Sequence, residues 1–157
     1  MPESKTPPVH LEDTLSPVID SLIDAQNGLR KIGDELQDPN LKSYFLQESL
    51  VRAEFRGALE SILHQDGVHD IKESGSVGAE LNRAWGGLKA KLGGGDSSLL
   101  EAAEKNQLAA TKAYAEALQK EPPLPVRQTL ASQAAHLELF VEYIQSVRKI
   151  DKALADR

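Results

Sequence analysis

The chain contains no cysteine, and aromatic residues make up only 4% of it. Without cysteine there are no disulfides, no thiolate metal sites and no cysteine nucleophile. So few aromatics leave a core built from Leu, Ile, Val and Ala, which suits packed helices better than a β-sandwich. No apolar run reaches the length of a membrane span, so no membrane partner is expected. Basic residues are outnumbered, 18 Lys and Arg against 24 Asp and Glu, giving a net charge of −6. That balance speaks against a nucleic-acid partner, which calls for a basic face. The opening MPESKTPPVH is polar and proline-rich, unlike a signal peptide, so a cytoplasmic location is the expectation. At 157 residues the chain suits one domain around one core.

Helical periodicity then organises the sequence. Residues 1–13 carry three prolines and no apolar period and read as a disordered arm, with the domain over 14–157. Leu15, Val18, Leu22, Ala25, Leu29, Ile32 and Leu36 are spaced alternately by three and four, the seam of a packed helix. Ser16 and Pro17 suit its N-cap and first turn. Asp38-Pro39-Asn40 marks a tight turn. A second helix is expected from Asp38 or Pro39 to about His64, with the seam Leu41, Tyr44, Glu48, Val51, Phe55, Ala58 and Ile62. A long crossover over 66–96 carries a short helix from Val77 to Leu92, with Trp85 on its apolar face. Asp96 or Ser97 can cap a third long helix that runs to about Lys120 with the seam Leu100, Ala103, Gln107, Ala110, Tyr114 and Ala117. After Pro122-Pro123-Leu124-Pro125 a fourth runs to about Leu154 with the seam Val126, Leu130, Gln133, Leu137, Phe140, Ile144 and Val147. Hairpin, long crossover and hairpin predict an all-α, antiparallel four-helix bundle of ferritin-like connection. Val147, Ile150 and Leu154 extend past the paired part of the last helix and predict weak self-association, as a homodimer.

The seams are interrupted by polar residues near mid-helix. Glu48, Gln107 and Gln133 occupy seam positions, Gln26 sits beside one, and His136 lies one turn beyond Gln133. A weak internal repeat pairs Gln26 with Gln107 and Glu48 with Gln133. Buried polar groups are costly without partners, so such a layer needs a reason. Ferritin-like di-iron bundles supply one, with a Glu from each of two helices and Glu-x-x-His from each of the others. On this chain only Glu48 and His136 keep strong iron-binding types. The amides at 26, 107 and 133 are weak ligands that neutralise no metal charge.

The chain resembles a bacterial family of uncharacterised four-helix-bundle proteins, distantly ferritin-like. The resemblance rests on Asp38-Pro39-Asn40-Leu41-Lys42-Ser43-Tyr44-Phe45, Ser74-Gly75-Ser76-Val77-Gly78, Trp85-Gly86-Gly87-Leu88-Lys89, Leu100-Glu101-Ala102-Ala103-Glu104 and Lys112-Ala113-Tyr114-Ala115-Glu116-Ala117-Leu118. It implies the bundle fold over roughly residues 14–150 and a connection with stress physiology. The family usually carries Glu at the positions of Gln26 and Gln107 and His at that of Asn82, and His136 is retained.

Three readings of the layer stay open. It can be a set of structural hydrogen bonds, a metal site at Glu48 and His136, or side chains tilted outward. Glu60 and His64 form an ordinary i, i+4 surface pair, and Gly93-Gly94-Gly95 lacks the flanking residues of a phosphate loop. No catalytic motif is complete, so the sequence leans away from an enzyme and no cofactor is expected. The leading function is a bundle acting through protein contacts or self-association. An iron-handling protein or oxidoreductase, holding iron or another divalent metal on Glu48, His136 and either Glu101 or Glu104, is the alternative. A small-ligand carrier using the layer is a third.

Overall fold

The computed structural model describes residues 10–68 and 95–155. Four long helices account for nearly all of them: α1 (Leu11–Glu35), α2 (Pro39–Gln65), α3 (Asp96–Gln119) and α4 (Leu124–Ala155). No strand occurs among the described residues. Most of the expected crossover, with its helix from Val77 to Leu92 and Trp85, lies outside them.

The relative directions of the helices follow from hydrogen bonds at their ends. Asp38 caps α2, its carboxylate accepting from the main-chain N–H groups of Asn40 (2.8 Å) and Leu41 (3.2 Å), and Pro39 follows where no N–H is needed. The same turn is gripped from α3. Asp96 accepts the N–H groups of Gln37 (2.9 Å) and Asp38 (3.0 Å) on its two carboxylate oxygens. Asp96 therefore anchors a neighbouring turn instead of capping its own helix, whose N-cap residue is Gly95. Thus α3 begins beside the start of α2, and residues 66–95 join opposite ends of the bundle, about 40 Å apart for a helix of this length. At the other end of α3, Lys120 Nζ donates to the Asp13 carbonyl (3.3 Å), so α1 and α3 are antiparallel. Adjacent pairs are α1 with α2, α1 with α3, and α3 with α4. Long side chains close the gap between α2 and α4: Tyr44 stacks on Phe140 (5.5 Å) and Phe55 meets the His136 ring edge-on (5.4 Å).

The start of α1 differs from expectation. The helix begins at Leu11, ahead of the expected cap at Ser16, and residues 1–9, where the arm was expected, lie outside the described residues. Ser16 and Pro17 are interior to α1 and do not form its cap. Proline lacks the N–H that would bond the carbonyl four residues back. Here that carbonyl belongs to Asp13, and the Lys120 ammonium takes it up instead.

The seams of α1, α3 and α4 bury as the periodicity predicts, with Val147 only half-buried. On α2 the buried stripe is rotated. It runs through Leu41, Phe45, Glu48, Arg52, Leu59 and Leu63, whereas Tyr44, Val51, Phe55 and Ile62 are half-buried and Ala58 is exposed. The reason is Arg52. A periodicity count treats arginine as a surface residue, so the apparent seam shifts to its neighbour Val51. In the fold Arg52 lies one heptad from both Phe45 and Leu59, and its side chain is fully buried.

Burial divides the core into two apolar clusters. One gathers Leu15, Val18, Leu22, Leu59, Leu63, Tyr114, Leu130 and neighbours toward the α3–α4 turn. The other gathers Leu29, Ile32, Phe45, Leu100, Phe140, Ile144 and neighbours toward the α1–α2 turn. Each fully buried Leu or Phe contributes about 1.5–3 kcal/mol relative to exposure. Between the clusters lies the polar layer.

Candidate functional site: a buried polar layer

Arg52 is the centre of the layer. Its Nη1 donates to Glu48 Oε1 (3.2 Å), one turn back along α2, and its Nε donates to Gln107 Oε1 on α3 (3.0 Å). The guanidinium lies over the Phe140 ring of α4, 5.1 Å from the centroid, a favourable cation–π placement. Its Nη2 has no hydrogen-bond partner among the described residues. Burial pulls the guanidinium's pKa below its ordinary value, and the Glu48 carboxylate opposes that shift. Arginine titrates so high that the group stays charged. The layer is thus a buried cation paired with a nearly buried carboxylate.

His136 completes the pair from α4. Its Nε2 lies 2.8 Å from the same Glu48 oxygen. A carboxylate oxygen accepts, so Nε2 carries the hydrogen. The His136 side chain is 40% exposed, while that of Glu48 is 7% exposed, so the histidine forms the outer wall of the site between α2 and α4.

Gln107 extends the network to α1. With its carbonyl oxygen held by Arg52, its Nε2 donates to Asn106 Oδ1 (2.6 Å) and to the Ala25 carbonyl (3.4 Å). Asn106 Nδ2 in turn donates to the Asp24 carbonyl (3.3 Å). Asn106 can approach because Gly28 faces it. A Cβ on Gly28 would fall 2.5 Å from Asn106 Oδ1. Both amides are used as donor and acceptor together, which fixes their orientation.

A second, separate cluster lies one turn toward the α3–α4 end. Tyr114 donates its hydroxyl to Gln133 Oε1 (2.7 Å), and Gln133 Nε2 donates to the Phe55 carbonyl (3.3 Å). Burial pushes the Tyr114 phenol well above its usual pKa. Tyr44 roofs the layer on the other side. Burial first, and the Glu48 carboxylate next, push its phenol up to about 12.

The residues predicted for this site are therefore distributed unevenly. Glu48 and His136 meet directly, and Gln107 joins them through Arg52. Gln133 is buried but engages Tyr114 and Phe55. Gln26 is half-buried, and α1 contributes the main-chain carbonyls of Asp24 and Ala25 to the network. Glu101 is exposed and pairs with Lys105, and Glu104 bonds Gln145 and Arg148 near the surface. Sequence reasoning missed Arg52 and Asn106. The available signal for Arg52 was its i+4 spacing from Glu48 together with its i+7 register to Phe45 and Leu59. No group of three His, Asp or Glu side chains placed to hold a metal ion occurs among the described residues.

Residues 10–120 match the family model for a domain of unknown function, DUF2383, and the chain belongs to that family. No curated protein matches the chain. The match takes in α1, α2 and α3, and with them Glu48, Arg52, Asn106 and Gln107. His136 and Gln133 on α4 lie beyond it. No described helix is long and apolar enough to cross a membrane.

Proposed function

We propose that this chain is a metal-independent helical bundle that works through protein contacts, and that its polar layer sets the register of the four helices. The observation carrying this reading is the buried Arg52 guanidinium, held between Glu48 and Gln107. A di-iron centre needs several carboxylates around two dications. Here the layer's single carboxylate already faces a resident cation, and Arg52 and His136 both bond its Oε1. A metal ion there meets a positive guanidinium a few ångströms away, in surroundings that screen poorly. This donor set does not fit a ferritin-like metal pair.

The helix connection, two hairpins joined end to end of the bundle by residues 66–95, supports kinship with ferritin-like bundles. On this reading a cation on the protein has taken the place of the metal charge in an ancestral layer. Buried polar layers specify register because a shift of one helix strands every member without its partner. Here α1, α2, α3 and α4 each contribute at least one group, so the layer locks all four at one level.

The experiment is a stability comparison with and without metal. Protein stripped with chelator and protein supplied with ferrous iron should melt at the same temperature, while Glu48→Ala should melt well below either. A rise in melting temperature on adding iron, abolished by Glu48→Ala, would return the reading to an iron-handling protein.

A further inference from the structure

The described residues expose seven large hydrophobic side chains, and four of them lie on one arc of α4. They are Leu139 (65% exposed), Tyr143 (44%), Ile150 (60%) and Leu154 (58%), with half-buried Val147 beside them. Leu50, Leu108 and Leu124 are scattered singly, as surface hydrophobics ordinarily are. At 3.6 residues per turn the four fall within about 60° around the helix and span about 22 Å of its length. A contiguous apolar stripe of this kind marks a contact surface.

We propose that the occupant of this stripe is a second copy of the chain, docked antiparallel along α4 about a twofold axis between Ser146 and Val147. This deepens the protein-contact reading above by naming the partner. The symmetry sets Leu139 against the partner's Leu154 and Tyr143 against the partner's Ile150, so apolar positions meet apolar positions throughout. Ser146, whose hydroxyl is turned back to the Glu142 carbonyl (3.0 Å), puts a small side chain at the axis, where the helices come closest.

Charge supports the same arrangement. Glu142 and Lys149 sit on one shoulder of the stripe. A twofold axis perpendicular to antiparallel helices brings like shoulders together. It places Glu142 beside the partner's Lys149, offset by about 3 Å along the axis and repeated on the symmetry-related side. A parallel arrangement forms no such reciprocal pair at this register. The stripe offers on the order of 1,000 Å² over both copies, the lower end for specific interfaces, so the dimer is a weak one.

The test is sedimentation equilibrium of the full chain from low to high micromolar protein. The expected result is a mass that climbs from monomer toward dimer. Leu139→Glu with Ile150→Glu should hold the mass at monomer with the helical circular-dichroism signal unchanged. Glu142→Lys alone and Lys149→Glu alone should each weaken association several-fold. Mixing these two single variants should restore it, because both reciprocal pairs then carry opposite charges. A constant monomer mass overturns the proposal, as does a mixture no stronger than its components. A Leu139/Ile150 variant that melts lower while the mass never changes also overturns it, because the stripe is then covered within one chain. Any of these failures leaves the metal-independent reading standing, because its readout is melting temperature with and without iron.

Discussion

Arg52 donates to Glu48 across one turn of α2, 3.2 Å apart, with both side chains withdrawn from solvent. The two residues do not contribute symmetrically. Removing the carboxylate leaves a fully buried cation without its counter-charge. Removing the guanidinium leaves a carboxylate that still bonds His136 at the protein surface. Glu48→Ala should therefore destabilise by about 3–5 kcal/mol, as breaking a buried pair from one side does. Arg52→Met, which keeps the apolar stem, should cost less. The double substitution should cost less than the sum of the singles. Urea unfolding of the four proteins measures each value, and equal costs for the two singles would count against the asymmetry.

His136 is the replaceable member. It is 40% exposed, so water can take its place on Glu48. His136→Ala should cost no more than about 1 kcal/mol, the scale of a hydrogen bond open to solvent. A loss as large as that from Glu48→Ala would show that the histidine, and not the arginine, holds the carboxylate in place.

Two glycines should respond oppositely to alanine. At an open helical position the change removes chain entropy from the unfolded state and stabilises by about 0.5–1 kcal/mol. Gly57 on α2 meets nothing within 4 Å, so Gly57→Ala should show that gain. Gly28→Ala drives a methyl group into Asn106, which is already bonded to Gln107 and to the Asp24 carbonyl, and should destabilise. Adding Asn106→Ala should recover part of the Gly28→Ala loss, which thermal melts of the single and double variants will show.

Tyr44 predicts an alkaline window. Its phenol is pushed up to about 12, above the ordinary tyrosine value of about 10. A folded-state pKa raised above the unfolded one stabilises fully below the unfolded value, and that contribution is lost as pH climbs through the folded value. Stability should thus fall between about pH 10 and 12. Tyr44→Phe should shallow that fall and remove one late phenolate step from the ultraviolet titration. An unchanged titration in Tyr44→Phe would place the late step elsewhere.

The legibility of this fold in its sequence divides by helix. The seam positions of α1, α3 and α4 are apolar residues and amides alone, although Thr14 and Asp24 are buried beside the α1 seam, so a period of three and four recovers those helices directly. On α2 the stripe passes through Glu48 and Arg52, and the packing of a charged pair is invisible to an apolar count. Along α2 an apolar period meets Glu48 as an interruption and passes over Arg52 to Val51. The rotation of α2 and the identity of the layer's cation were lost together. Gln107 and Gln26 illustrate a second limit. They align in the internal repeat, yet Gln107 is buried in the network and Gln26 is half-buried, because Gln107 lies on the seam of its helix and Gln26 one residue off the seam of its own. Asn106 was illegible for another reason: its place depends on Gly28, a neighbour in space but not in sequence.

The central claim, that Arg52 supplies the positive charge opposite Glu48, is tested most directly by metal binding. Chelator-stripped protein is mixed aerobically with ferrous iron, desalted and assayed for iron by elemental analysis, alongside Glu48→Ala, His136→Ala and Arg52→Met. The account predicts no stoichiometric iron on the native protein. Tightly bound, stoichiometric iron on the native protein, lost in both Glu48→Ala and His136→Ala, would contradict it.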